Sequence, residues 1–319
     1  MKSIGGYFEL ELQRNQEFHP AAIALNSGRN AFAYVLKAKQ YKKVYLPFYT
    51  CDVLLQPINT LCLEVEFYQL NENLEPVFDA DRIMNGEAFV YTNYFGIKDQ
   101  FIKKLTQCAE NLIIDNSQAF FSAPIDQVDT FYSPRKFFGV SDGAYLYTNV
   151  QLPERLEIDQ SADRIGHLVK RIEQGAESGY DDFKINDAAL DHAAIKTMSA
   201  FTNAILSGID FDRVREIRQR NFLQLHQALQ QHNELSVPRS SSCPMVYPFL
   251  IKNGNALRQI LIEKKIYVAR YWLNTAIVSP PGSFEAYLND NLLPLPIDQR
   301  YTIEDMQVII GIIQKFYGL

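Results

Sequence analysis

The alternation in the first half of the chain limits its fold more than any other feature. Short β-rich runs stand at residues 42–49 (KKVYLPFY), 63–70 (LEVEFYQL), 87–95 (EAFVYTNYF) and 111–118 (NLIIDNSQ). Two more, TFYS at 130–133 and AYLYTN at 144–149, flank a polar loop. Helical patterns such as AFAYVLKAKQ (31–40) and DQFIKKLTQCAE (99–110) separate the runs. Strands spaced by helices form βαβ units, and these build a mostly parallel sheet with helices on its faces. Such a sheet binds ligands at the carboxyl ends of its strands.

From 155 to about 205 the pattern turns helical and more polar. Residues 210–232 predict a long helix, capped by Asp210 or Asp212, with Val214, Ile217, Phe222, Leu225 and Leu229 on its apolar face. CPMVYPFLI (243–251) predicts a strand, NALRQILIEKK (255–265) a helix, IYVARYW (266–272) a strand and TIEDMQVIIGIIQKFY (302–317) a final helix. The expected architecture is α/β. A large three-layer domain with a mostly parallel central sheet spans 1–205, and a smaller α+β domain spans 206–319.

Composition narrows the classes. Of 319 residues, 47% are apolar, enough for a substantial core, and the formal net charge of −6 disfavours a nucleic-acid or anionic-membrane surface. No apolar run approaches the ~18 to 20 residues of a membrane-spanning helix. The opening MKSIGGYFELEL carries glutamates where a signal peptide needs an apolar centre, so a cytoplasmic location is expected. Cys51, Cys62, Cys108 and Cys243 form no Cys-x-x-Cys pair and read as reduced core thiols. The five histidines form no close-spaced ligand motif, so no metal is expected.

Three groups carry the chemistry. Lys136, beside Arg135, interrupts two apolar runs; desolvation and a like charge favour the neutral amine that attacks a carbonyl. Asp115 ends an apolar strand, where α/β folds place functional groups, and Gln118 follows three residues on. Ser27-Gly28-Arg29 opens an apolar helix whose free N–H groups suit a phosphate. Alone, these read more readily as a surface lysine, a turn aspartate and an ordinary N-cap. In this order they match the three needs of pyridoxal 5'-phosphate: an amine for the aldehyde, a carboxylate for the ring nitrogen and a helix start for the phosphate.

These residues resemble the DegT/StrS-type sugar aminotransferases, a branch of the fold-type I pyridoxal-phosphate enzymes. The family's Ser-Gly-Thr helix start reads Ser27-Gly28-Arg29 here, and its Glu-Asp-Ala-Ala-Gln strand end reads Ile114-Asp115-Asn116-Ser117-Gln118. Its Phe-Ser-Phe-x-x-x-Lys segment and Gly-Glu-Gly-Gly become Phe131-Tyr132-Ser133-Pro134-Arg135-Lys136 and Ser141-Asp142-Gly143-Ala144. The tail LPLPIDQRYTIEDMQVI (293–309) resembles the family's ending. By resemblance, Lys136 carries the cofactor and shuttles a proton, Asp115 holds the ring nitrogen, Gln118 meets the ring hydroxyl, and Gly28 and Arg29 offer amides to the phosphate. The resemblance also implies an amino donor, commonly glutamate, a nucleotide-linked keto-sugar acceptor for glycan synthesis, and a homodimer with the active site at its interface.

Departures from the family are specific. Its phosphate serine aligns with Phe131, leaving Ser133 as a substitute, and its ring-stacking aromatic aligns with Cys51, leaving Tyr49 as a candidate. The neighbouring-subunit Asn-Tyr-Arg-Met segment reads Ile195-Lys196-Thr197-Met198, with Lys196 as a replacement contact. Arg270, before Tyr271 and Trp272, is either a carboxylate holder for the donor or part of a packing cluster. A sugar dehydratase of the same family would carry histidine in place of Lys136. A non-catalytic, cofactor-binding or regulatory member of the fold is the alternative from another class.

Overall fold

The computed structural model describes residues 4–239 and 243–318. Among these residues the strands are β1 (Ile23–Leu25), β2 (Lys43–Pro47), β3 (Glu64–Leu70), β4 (Pro76–Val77), β5 (Glu87–Thr92), β6 (Leu112–Asn116), β7 (Asp129–Tyr132), β8 (Ala144–Tyr147), β9 (Val246–Leu250) and β10 (Leu292–Pro296). The helices are α1 (Gly28–Ala38), α2 (Leu55–Thr60), α3 (Asp99–Leu105), α4 (Gly166–Gln174), α5 (Tyr180–Ala188), α6 (Ala200–Ser207), α7 (Phe211–Leu229), α8 (Gly254–Glu263), α9 (Thr275–Val278), α10 (Phe284–Asn291) and α11 (Ile303–Tyr317).

The first eight strands form one sheet in the order β1-β8-β7-β6-β5-β2-β3-β4. The pairs β2–β3, β2–β5, β5–β6 and β6–β7 are parallel, as the helix-spaced runs predict. β8 runs antiparallel to both β7 and β1. β1 therefore points the same way as β7, and the carboxyl ends of β1, β6 and β7 share one edge with the start of β8.

Both sheet faces are buried, which is why the strands read as nearly continuous apolar runs. Val44, Leu46, Val90, Ile113 and Phe131 pack beneath α1 and α2, joined by Phe32 and Val35 of α1. Their alternates, Tyr45, Phe89, Tyr91 and Ile114, form an aromatic face covered by the C-terminal part through Leu250, Leu288 and Leu292. The mostly parallel sheet with helices over it is the α/β class expected.

The two-stranded sheet β9–β10 has its own core with α7, α8 and α11, built on Phe222, Leu225, Tyr247, Leu293 and Ile313. Asp210 caps α7 by accepting from the Arg213 amide, and Thr302 and Asp305 form a capping box on α11.

One expected strand is displaced. IYVARYW at 266–272 forms none, and the partner of β9 is β10, antiparallel from Leu292↔Leu250 to Pro296↔Val246. Leu292, Leu293 and Leu295 are each buried, whereas Tyr267 and Ala269 face outward, so the later run supplies more buried apolar surface. The cysteine expectation also changes. Cys243 is buried, but Cys62 and Cys108 are exposed and Cys51 is half-buried, all four as free thiols.

Candidate active site

The anion-type helix start, the strand-end acid and the loop lysine all lie at the shared sheet edge. Asp115 sits one residue before the end of β6; its backbone carbonyl accepts from the Asn93 amide just past β5. Its side chain is 6% exposed, and Oδ1 accepts from the Ser117 amide at 2.8 Å. Burial raises the Asp115 carboxyl above its ordinary range, while the Lys136 charge and the Ser117 hydrogen bonds oppose the rise. A carboxylate desolvated this far calls for a cationic partner.

Lys136 ends a short 3-10 turn, Pro134–Lys136, directly after β7. Its Nζ donates to Ser117 Oγ at 3.4 Å. The lysine is exposed. Arg135 adds no adjacent free charge: its guanidinium pairs with Asp187 at 2.9 Å.

Gln118 is fully buried. Its Oε1 accepts from the Phe95 amide at 2.7 Å, and its Nε2 has no protein partner. An unmet buried N–H donor is costly and marks a place where a ligand acceptor fits.

Ser27 caps α1, its hydroxyl accepting from the Asn30 amide at 3.2 Å. A methyl group placed on Gly28 would lie 3.8 Å from Ser133 Cβ and 3.9 Å from the Phe131 ring. The helix start and Ser133 are thus immediate neighbours, with Ser133 8% exposed. Phe131, at the family's serine position, is core: its ring lies 5.9 Å from that of Phe32.

Asn26 secures this corner. Its carbonyl accepts from Gly143 at 2.7 Å, its amide donates to the Lys196 carbonyl, and its side chain bonds Ala194 and Asn30. Gly143 has φ +119°, and a Cβ there would meet Pro134, Met198 and Thr202 at 3.1–3.2 Å, so this contact requires glycine. Beside it, the fully buried Asp142 accepts from the amide and hydroxyl of Ser199 and from the Thr202 hydroxyl.

Four of the candidate side chains have other partners in the structure. The Arg29 side chain turns away from the helix start to an ion pair with Asp191 and to Gln56 at 3.0 Å, leaving only its backbone amide for an anion. The Tyr49 ring has no free face: it is wholly buried between Tyr94, at 5.8 Å, and Trp272, at 4.8 Å. The residue there that couples electrostatically to Lys136 and Asp115 is Cys51, its thiol raised chiefly by burial. Arg270 is held by Asn289 and Asp290 at 2.5–3.1 Å, and Tyr271 and Trp272 pack the junction, so it is not a free carboxylate holder. Lys196 lies near the helix start through its backbone, with its ammonium 3.1 Å from Glu157.

Sequence reasoning passed over Ser117, which touches both Asp115 and Lys136; its only signal was a hydroxyl where the family pattern has alanine. It also missed Arg218 and Asn221. Both stand on the buried stripe of α7 at i+4 and i+7 from Val214, and polar residues at core spacing were the available signal.

Among the described residues no group of three metal-ligating side chains converges, and no helix is long and apolar enough to cross a membrane.

No protein-family profile matches the chain, and no curated protein matches it in sequence. Solved structures do match. A DegT DnrJ EryC1 StrS aminotransferase from Brucella abortus superposes with a TM-score of 0.63 at 15% identity, over 93% of this chain and 86% of that one. DesV of S. venezuelae gives 0.64 at 15% identity, over 92% and 84%. Spr1654 of Streptococcus pneumoniae in its PLP form gives 0.61 at 14% identity, over 91% and 85%. The fold is that of the DegT/DnrJ/EryC1/StrS aminotransferases, as the ordered motifs imply.

Proposed function

We propose that the chain is a pyridoxal-phosphate-dependent aminotransferase acting in the cytoplasm. It passes an amino group from glutamate to a keto carbon of a nucleotide-linked sugar for glycan synthesis. The observation that carries this is the meeting of Lys136 and Asp115 at Ser117, on the sheet edge that also presents the Gly28–Ser133 corner.

The residues present fit the cofactor. The buried, partnerless Gln118 Nε2 is a donor for a ring hydroxyl oxygen, and the buried Asp115 is an acceptor for a ring N–H⁺. The Gly28 and Arg29 amides and the Ser133 hydroxyl are donors for the phosphate. Bound there, pyridoxal phosphate supplies a cationic ring that accepts the electron pair of a breaking C–H bond. Asp115, remaining ionised, keeps the ring nitrogen protonated. Lys136 Nζ would take the proton from the substrate carbon and hold it for return, as general base and then general acid.

A homodimer with the site at its interface accords with the exposed apolar residues of α4 and α5, among them Ile172 at 86% and Ile185 at 68% exposure. Light scattering at micromolar concentration tests it, and a monomer there removes this part.

The second reading, a cofactor-binding member without turnover, is favoured by two observations: Tyr49 offers no ring face, and Phe131 replaces a phosphate ligand in the core. One experiment separates the two. Purified protein loaded with pyridoxal phosphate absorbs in the visible, and glutamate shifts that band if transamination occurs. A band that never shifts with any amino donor selects the binding module, and a protein that takes up no pyridoxal phosphate ends both readings.

A further inference from the structure

The most deeply buried cation among the described residues of the C-terminal part connects directly to the lysine turn. Arg218 of α7 is 1% exposed. Its Nε donates to Gln299 Oε1 at 2.9 Å, and Gln299 Nε2 donates to the Phe137 carbonyl at 2.8 Å. Its guanidinium carbon stands 4.6 Å from the centre of the Phe137 ring. Phe137 is the residue after Lys136 and closes its turn by donating its backbone N–H to the Pro134 carbonyl at 2.9 Å.

The other arm of the same guanidinium leads to Gln118. Arg218 Nη1 donates to the Met245 carbonyl at 3.0 Å, and the Met245 amide donates to the Phe95 carbonyl at 2.8 Å. The Phe95 amide in turn donates to Gln118 Oε1 at 2.7 Å. Phe95 holds φ +57°, a left-handed conformation that a non-glycine residue keeps only when its surroundings impose it. One buried cation thus braces both the turn that carries the amine and the side chain that keeps an unmet donor.

We propose that Arg218, with Gln299 as its intermediary, is a positioning residue that fixes the Lys136 turn and the Gln118 side chain in one geometry. The proposal rests on reading Lys136 as the reacting amine. Removing the Gln299–Phe137 hydrogen bond frees the turn, and the amine then samples positions away from the Asp115 carboxylate. Released from its hydrogen bond to Ser117, the amine is more open to small acylating reagents but is less often aligned for a bound aldehyde.

The decisive substitution is Gln299→Glu. It keeps an oxygen for Arg218 yet cannot donate to the Phe137 carbonyl. Competitive acetylation of the full-length protein without cofactor, read by peptide mass mapping at neutral pH, reports each lysine against the others. The expected result is a rise of about five-fold at Lys136 alone, with circular dichroism and melting temperature retained. Arg218→Lys is expected to match it; should that variant not fold, Gln299→Glu decides. Borohydride trapping of pyridoxal phosphate on Lys136 is expected to slow in the same variants. Faster acetylation with slower trapping is a combination that general loosening, which would speed every protected lysine, does not produce. A folded Gln299→Glu protein whose Lys136 acetylates at the wild-type rate overturns the proposal. Failure of the wild-type protein to take up pyridoxal phosphate ends the cofactor reading separately, and the acetylation rates still decide whether Gln299 holds the turn.

Discussion

Asp115 and Lys136 share one serine: the Ser117 amide donates to the Asp115 carboxylate, and the Ser117 hydroxyl accepts from Lys136 Nζ. The pair comes from different connections, the end of β6 and the turn after β7, strands that lie parallel and adjacent in the sheet. That arrangement sets the order of the tests.

Asp115→Asn removes the charge while keeping the shape. Because burial alone raises the Asp115 carboxyl, the amide costs the unliganded fold little, and the melting temperature is expected to hold or rise. Pyridoxal phosphate still binds, while transamination falls on the order of 100-fold or more, since the ring loses its charge-stabilising partner. Turnover within a few-fold of wild type removes Asp115 from the role.

Ser133→Ala probes the phosphate end. Ser133 neighbours the Gly28 amide, so loss of its hydroxyl is expected to weaken pyridoxal phosphate binding about ten-fold and leave pyridoxal binding unchanged. Equal weakening of both ligands, read by titrating the visible band, places the phosphate elsewhere.

Gly143→Ala tests the corner behind the lysine turn. A Cβ at φ +119° meets Pro134, Met198 and Thr202 at 3.1–3.2 Å. The expected loss is about 1–3 kcal/mol in urea unfolding, with weaker cofactor uptake. Wild-type stability in this variant shows that the corner relaxes freely.

His19 sets a stability threshold in acid. It is buried among Phe120, Tyr132 and Tyr145; its Nε2–H donates to the Phe120 carbonyl, so Nδ1 accepts from the Tyr147 hydroxyl. Burial lowers the imidazole from 6.5 to about 4, against the pull of that carbonyl. The unfolded chain therefore takes up its proton first. The contribution is complete above about pH 6.5, declines toward pH 4 and is gone below it, up to about 3 kcal/mol in all. Urea midpoints at pH 7 and pH 5 are expected to differ in the wild type and to differ less in His19→Gln, where His167 and His226, also lowered by burial, remain; an unchanged difference assigns the acid sensitivity to other groups.

Periodicity made the sheet legible because both of its faces are buried: strands β2, β3, β5, β6 and β8 fall within the runs read from sequence, and β7 begins one residue before its run. The start of α7 was legible from its Asp210 cap. What stayed hidden depends on long-range competition. Nothing local distinguishes IYVARYW from LLPLP as the partner of β9; the pairing is decided by which leucines reach the core. At the site, residue types announced Asp115, Lys136 and the Ser27–Gly28 start. Directions of side chains did not follow from types: Arg29 turned to Asp191, and Tyr49 filled the junction beneath Trp272. Arg218 escaped notice because a charge inside an apolar stripe gains meaning only from partners 81 and 27 residues away, Gln299 and Met245.

The bracing of Asn26, through Gly143, Lys196, Ala194 and Asn30, has a thermodynamic consequence. A loop tied at four points has almost no entropy left to lose, so an anion arriving at Gly28 meets amides already aimed. Association at that corner is then governed by desolvation of the incoming phosphate, and its rate should show no slow rearrangement phase after encounter.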